Sequence, residues 1–144
     1  MITDSFTTTR IVNNGYAVTS SSRYAMDRLS REIRQAAFDI STQSPKISTA
    51  SDSLLSFTKS NLSAEESISI YLNGQQALML NNATLGSDAI LAEHVTIFSL
   101  QYYDSNMVST AIISQIRFIK INFKMSEAGA EPVELHTMVA LRNS

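Results

Sequence analysis

A chain of 144 residues suits one domain around a single core, and at 17% charged residues it is short of charge for such a domain. Its net charge of −2 excludes electrostatic attraction to nucleic acid or an anionic membrane. The absence of cysteine excludes disulfides, thiol nucleophiles and cysteine-ligated metals.

Serine and threonine, 22 and 12 in number, replace the missing charge. Hydroxyl-wetted surfaces of this kind suit an exported protein. No apolar run approaches the ~20 residues of a membrane-spanning helix.

In chain order, "SFTTTRIVNNGYAVTSS" over 5–21 admits two readings. Its β-branched residues around Asn13-Asn14-Gly15 suit a hairpin. As helix, its threonines and glycine each cost about 0.5–1 kcal/mol relative to alanine. Residues 22–40 are helical: Met26, Leu29, Ile33, Ala36, Ala37 and Ile40 recur at steps of three and four. Ser20, Ser21 and Ser22 offer capping oxygens. Asp27–Arg31 and Arg28–Glu32 are opposite-charge pairs at i,i+4. Pro45 closes the helix.

From residue 54 the period falls to two, giving strands over 54–58, 67–72, 76–81, 94–103, 115–125 and 133–142. Asn73-Gly74 joins the second to the third. A three-residue loop with Gly74 left-handed keeps Ile68, Ile70, Leu78 and Leu80 on one face, whereas two residues would split them. Ile119, Ile121, Phe123 and Met125 share a face, as do Val133, Leu135, Val139 and Leu141. Helix first and strands afterwards predict an α+β fold, the helix lying across an antiparallel sheet.

Residues fit for chemistry are scattered. His94 and His136 fall in separate strands without a ligand motif. Asp104 and Asn106 form a D-x-N oxygen pair, the one candidate cation loop, short of the about six to eight oxygens that calcium takes. Arg28, Arg31 and Arg34 alternate with Asp27, Glu32 and Asp39, which reads as a solvated, self-paired face. With no phosphate loop, nucleophile elbow or paired carboxylates, no catalytic or cofactor-binding residues are assigned, and a non-enzymatic role is expected.

Four segments, taken in order, resemble the type IV pilin-like family. They are "RLSREIRQAAFD" (28–39), "ISIYLNGQQALML" (68–80), "ILAEHVTIFSLQYYD" (90–104) and the terminal "LHTMVALRN" (135–143). The likeness is to PilW-like minor pilins and to the J-type minor pseudopilins of type II secretion. It implies one pilin-like domain over 1–144, with a stalk helix over 1–40 and a β-rich globular part over 41–144. A rod over 3–40 would be ~57 Å long, against a radius of gyration near ~15 Å for a compact chain of this size. On that rod Phe6, Ile11, Val12 and Tyr16 would meet neighbouring subunits.

The implied role is a structural subunit that primes or caps a pilus or a secretion pseudopilus. Its partners would be other pilins or pseudopilins, with no cofactor and no nucleic acid. The family's apolar first segment is not in this sequence, so an inner-membrane anchor before residue 1 and a periplasmic or extracellular head are implied. The alternative is a free-standing extracellular binding or adhesion module that recognises its target through loops 81–93 or 104–114.

Overall fold

The computed structural model describes the backbone of residues 9–60, 64–126, 129 and 131–141, and within these ranges the side chains from residue 22 onward. The helix, α1, runs from Thr9 to Arg34. The contested segment from Thr9 is therefore helical backbone rather than a hairpin. At α1's end, Gln35 N–H donates to the Glu32 carbonyl (3.1 Å) and Ala36 N–H to that of Ile33 (3.0 Å), tightening the last turn.

The helix stops six residues short of the expected 40. Ala37 N–H donates to the Thr58 carbonyl (2.8 Å) and Ala36 bridges to Lys59, so the next backbone groups are committed to a strand. Phe38–Asp39 (β1) pairs with Ser44–Pro45 (β2), which puts Pro45 in a strand. Between them Asp39 accepts from Ser41 through both N–H (3.0 Å) and Oγ (2.6 Å), and these bonds hold its carboxyl below the usual carboxylate range. Ile40, counted on the apolar stripe, is 69% exposed in this turn.

Five strands follow as an antiparallel meander: Ile47–Ala50 (β3), Leu54–Ser60 (β4), Glu65–Leu72 (β5), Leu78–Asn82 (β6) and Ser87–Ala92 (β7). A second antiparallel sheet holds Val95–Tyr103 (β8), Phe118–Met125 (β9) and Val133–Ala140 (β10) in the order β10-β9-β8. The break between the sheets falls at His94, whose left-handed φ of 61° turns the chain out of β7. His94 is thus a turn residue, not a strand residue.

The α+β expectation, with a long N-terminal helix packed on a sheet, is overturned: the fold is mostly β, in three sheets, with α1 as its one α-helix among the described residues. The stalk assigned to 1–40 is shortened accordingly, because its last residues pair as strands. Nor does the helix lie across one sheet. It touches β7 and β10, the edge strands of two different sheets. The reason lies in the length of the strand region, whose alternating faces close on each other as well as on the helix.

Leu55, Ile68, Ile70, Leu78 and Leu80 from the larger sheet meet Val95, Leu100, Ile119, Ile121 and Phe123 from the smaller one. Ala25, Met26, Leu29 and Ile33 of α1 complete the same cluster.

The β5–β6 register pairs Ile70 with Leu80 and Leu72 with Leu78, so both apolar pairs share the inner face. The loop is longer than the three residues expected, running from 73 to 77. Its left-handed residue is Gln76 (φ 62°), not Gly74. Asn73 Oδ1 shapes it by accepting from Gln75 N–H (2.8 Å) and Ala77 N–H (3.0 Å).

Candidate functional site

The helix presents two unlike charged regions. On the inner side Glu32, only 6% exposed, accepts from Arg28 Nε (3.1 Å) and Lys59 Nζ (3.0 Å). Lys59 lies 3.9 Å from Glu66 Oε1, which also accepts from Asn82 Nδ2 (3.1 Å). Two cations and two anions therefore alternate from helix to β4 to β5, and each buried charge has a neighbour of opposite sign. Partial burial opposes the Arg28 charge, but hydrogen bonds to Glu32 and Tyr24 outweigh it and raise its pKa.

On the outer side Arg23, Asp27, Arg31 and Arg34 are exposed. Of the two i,i+4 pairs expected, Arg28–Glu32 closes within 4 Å, and Asp27–Arg31 does not. The outer face is therefore not self-paired. Asp27, Arg31, Arg34 and Gln35 instead line an open depression of about 540 Å³.

The Asp104–Asn106 loop is built differently from a cation site. Asp104 Oδ1 accepts from the N–H groups of Asn106 (2.9 Å) and Val108 (3.0 Å), so its carboxylate shapes its own loop. Opposite it stands Arg117, and the two help line a polar depression of about 290 Å³. Arg117 is a strut: it donates to the carbonyls of Ser114 (2.9 Å), Ile116 (2.8 Å) and Gln43 (3.2 Å). Its guanidinium also lies 5.3 Å from the centre of the Phe38 ring. A fixed cation beside Asp104 works against a metal there. Among the described residues no three His, Asp or Glu gather with metal-holding geometry.

His136 is exposed on β10 and bonds through Nδ1 to Asn122 Oδ1, while Asn122 Nδ2 donates to Ser99 Oγ (3.3 Å). The line crosses the outer face of the smaller sheet, far in the chain from His94, and the two histidines do not form one site. Of the loops proposed for recognition, 81–93 is divided among the end of β6, a turn over 83–86 and β7, and 104–114 contains the Asp104 turn and the start of the 3-10 turn Ile113–Gln115.

Of the expected subunit-contact residues, Ile11, Val12 and Tyr16 fall on the helical backbone of α1. Their side chains, and Phe6 entirely, lie outside the described residues. The sequence reading missed Lys59 and Glu66, although strand alternation signals both. Lys59 continues the inward set Leu55 and Phe57, and Glu66 precedes Ile68 and Ile70 on the same side. Glu32 likewise sits on the helical stripe between Leu29 and Ile33. A charge on a core-facing period asks for a buried partner.

Among the described residues no helix is long and apolar enough to cross a membrane. Comparison with known proteins finds no family model that matches this sequence, and no curated protein that matches it.

Proposed function

We propose that this chain is a structural subunit of a pilin-like filament, a minor pilin or pseudopilin that primes or caps assembly of a type IV pilus or a type II secretion pseudopilus. The observation that supports this reading is how the helix is seated. Its Ser22–Arg34 half enters the core through Ala25, Met26, Leu29 and Ile33, and it is tied to β4 and β5 through Glu32 and Lys59. A helix seated in the shared core and tied to the larger sheet joins stalk to head, which a stalk-and-head subunit requires.

The remaining helical backbone, from Thr9, spans about 20 Å and carries Ile11, Val12 and Tyr16, apolar residues suited to neighbouring stalks. The four ordered sequence segments support the same reading. Anchoring in the inner membrane and an extracytoplasmic head belong to this proposal and rest on that likeness.

The test is affinity co-purification with the pilin-like proteins encoded beside this gene. Recovery of at least one, lost on Ile11→Asp/Tyr16→Asp, is expected. Recovery of none, with no apolar leader encoded before Ile2, would rule the role out.

A further inference from the structure

Charge is divided unevenly along this chain. Residues 9–34 carry five arginines against Asp27 and Glu32, a net of +3, while residues 35–144 carry six basic against ten acidic residues, a net of −4. Inside the helix seat the charges cancel, since Arg28 and Lys59 meet Glu32 and Glu66. The surplus therefore lies outside: Arg23, Arg31 and Arg34 line the exposed side of α1, and none has a carboxylate within 4 Å among the described residues. The helix dipole accounts for Arg31 and Arg34 in the last turn, but its reach does not extend back to Arg23.

The head has the matching surface. Glu93 follows β7, Glu131 precedes β10 and Glu134 lies at its start. The register Val95–Met125–Val133 brings all three to one end of the smaller sheet, where Lys124 stands opposite Glu134 and leaves the carboxylates in excess. All are exposed, and none is in an ion pair within 4 Å among the described residues.

We infer that the cationic outer face of α1, with its depression beside Asp27, Arg31 and Arg34, receives the Glu93–Glu131–Glu134 end of a second copy of this chain. The contact is heterologous, helix of one copy to sheet end of the next, so it extends the assembly instead of closing it as a symmetric dimer. Opposite charges at its centre set register and encounter rate and make it sensitive to salt. This inference rests on the filament reading and names a partner for its subunit surface.

A charge-swap experiment on the full chain tests it. By sedimentation velocity, wild type is expected to self-associate at ~50 mM salt and to weaken by about tenfold or more at ~500 mM. Arg31→Glu/Arg34→Glu and Glu93→Lys/Glu134→Lys should each lose self-association by about tenfold or more, and an equimolar mixture of the two should recover it to within about threefold. Thermal melts of each variant exclude misfolding as the cause of loss: each is expected to unfold cooperatively well above the assay temperature, the arginine pair somewhat lower than wild type because its charges favour the last turn of α1.

Monodisperse wild type at low salt, or folded variants whose mixture stays monomeric, overturns the inference. If that happens while co-purification with other pilin-like proteins succeeds, the filament role stands and only the second-copy partner falls. If both experiments fail, both readings fall.

Discussion

The two sides of α1 use the same residue types to opposite ends. On the inner side Arg28, Glu32, Lys59 and Glu66 form a closed chain in which no charge lacks an opposite neighbour. On the outer side Arg23, Arg31 and Arg34 stand in water, and Asp27 does not pair with Arg31. Spacing alone made the two i,i+4 pairs look equivalent. Burial separates them: a charge taken out of water must find its partner, whereas an exposed one gains so little from pairing that side-chain entropy can leave it alone. Inner charges therefore belong to the fold, and outer charges are free for recognition.

The contrast predicts a graded series of losses, largest where the helix meets the core. Leu29 is fully buried in the shared core. Leu29→Ala should cost about 2–5 kcal/mol in denaturant unfolding, the range for a cavity opened in a packed core. A loss under about 1 kcal/mol would mean that the helix is not seated as described.

Next comes the ionic chain. Lys59→Met keeps the length of the side chain but leaves Glu32 and Glu66 without their shared cation. The expected cost is about 1–3 kcal/mol, because Glu32 loses one of its two charged donors and Glu66 the cation 3.9 Å away, while Arg28 and Asn82 still hold the two carboxylates. The double variant Lys59→Met/Glu32→Met should recover part of that loss, and a double-mutant cycle measures the coupling directly. If the single variant were as stable as wild type, the inner side would be no different from the outer one.

A third loss probes how the two sheets are held together. Tyr102 donates its hydroxyl to the Ser51 carbonyl (2.6 Å), tying β8 to the turn before β4. Burial, with Asp52 adding to it, raises its pKa well above the ordinary tyrosine value. The neutral phenol is the form the fold favours, so its contribution is complete below about pH 10, the pKa of an unfolded tyrosine. The contribution is lost as pH climbs from there towards the folded-state pKa. Tyr102→Phe should cost about 1 kcal/mol near neutrality and flatten part of the alkaline loss of stability. An unchanged alkaline profile would assign that loss to other groups.

How far these features could be read from sequence follows from which periods were strong. The stripe at Met26, Leu29 and Ile33 and the alternation at Ile119, Ile121 and Phe123 placed the core residues correctly. The helix end could not be read, because Ala36, Ala37 and Ile40 fit a helical period while the bonds from Ala36 and Ala37 to β4 are long-range. Strand β7 was lost because Asn81-Asn82 and Gly86 look like turn residues around so short a run. The division into two sheets hinges on a left-handed His94, a conformation that histidine itself does not announce. The mostly-β balance is hidden by length: β1, β2, β3 and β7 are short runs with little alternation to mark them, although each pairs with a strand adjacent to it in sequence.

The smallest expected effects separate the arginines of the outer face from one another. Arg34 sits in the last turn of α1 and donates from Nε to the Ser30 carbonyl (3.3 Å), where the negative end of the helix dipole favours it. Arg34→Ala should cost about 0.3–1 kcal/mol at low salt, and less as salt screens the dipole. Arg23 lies outside that turn, with no ion pair among the described residues, and Arg23→Ala should leave stability unchanged within about 0.5 kcal/mol. An arginine that stabilises nothing within its own chain and still weakens self-association when replaced would have no purpose other than contact with another subunit. If Arg23→Ala instead destabilised the monomer by more than Arg34→Ala, the outer face would belong to the fold, and the distinction between the two sides of the helix would be lost.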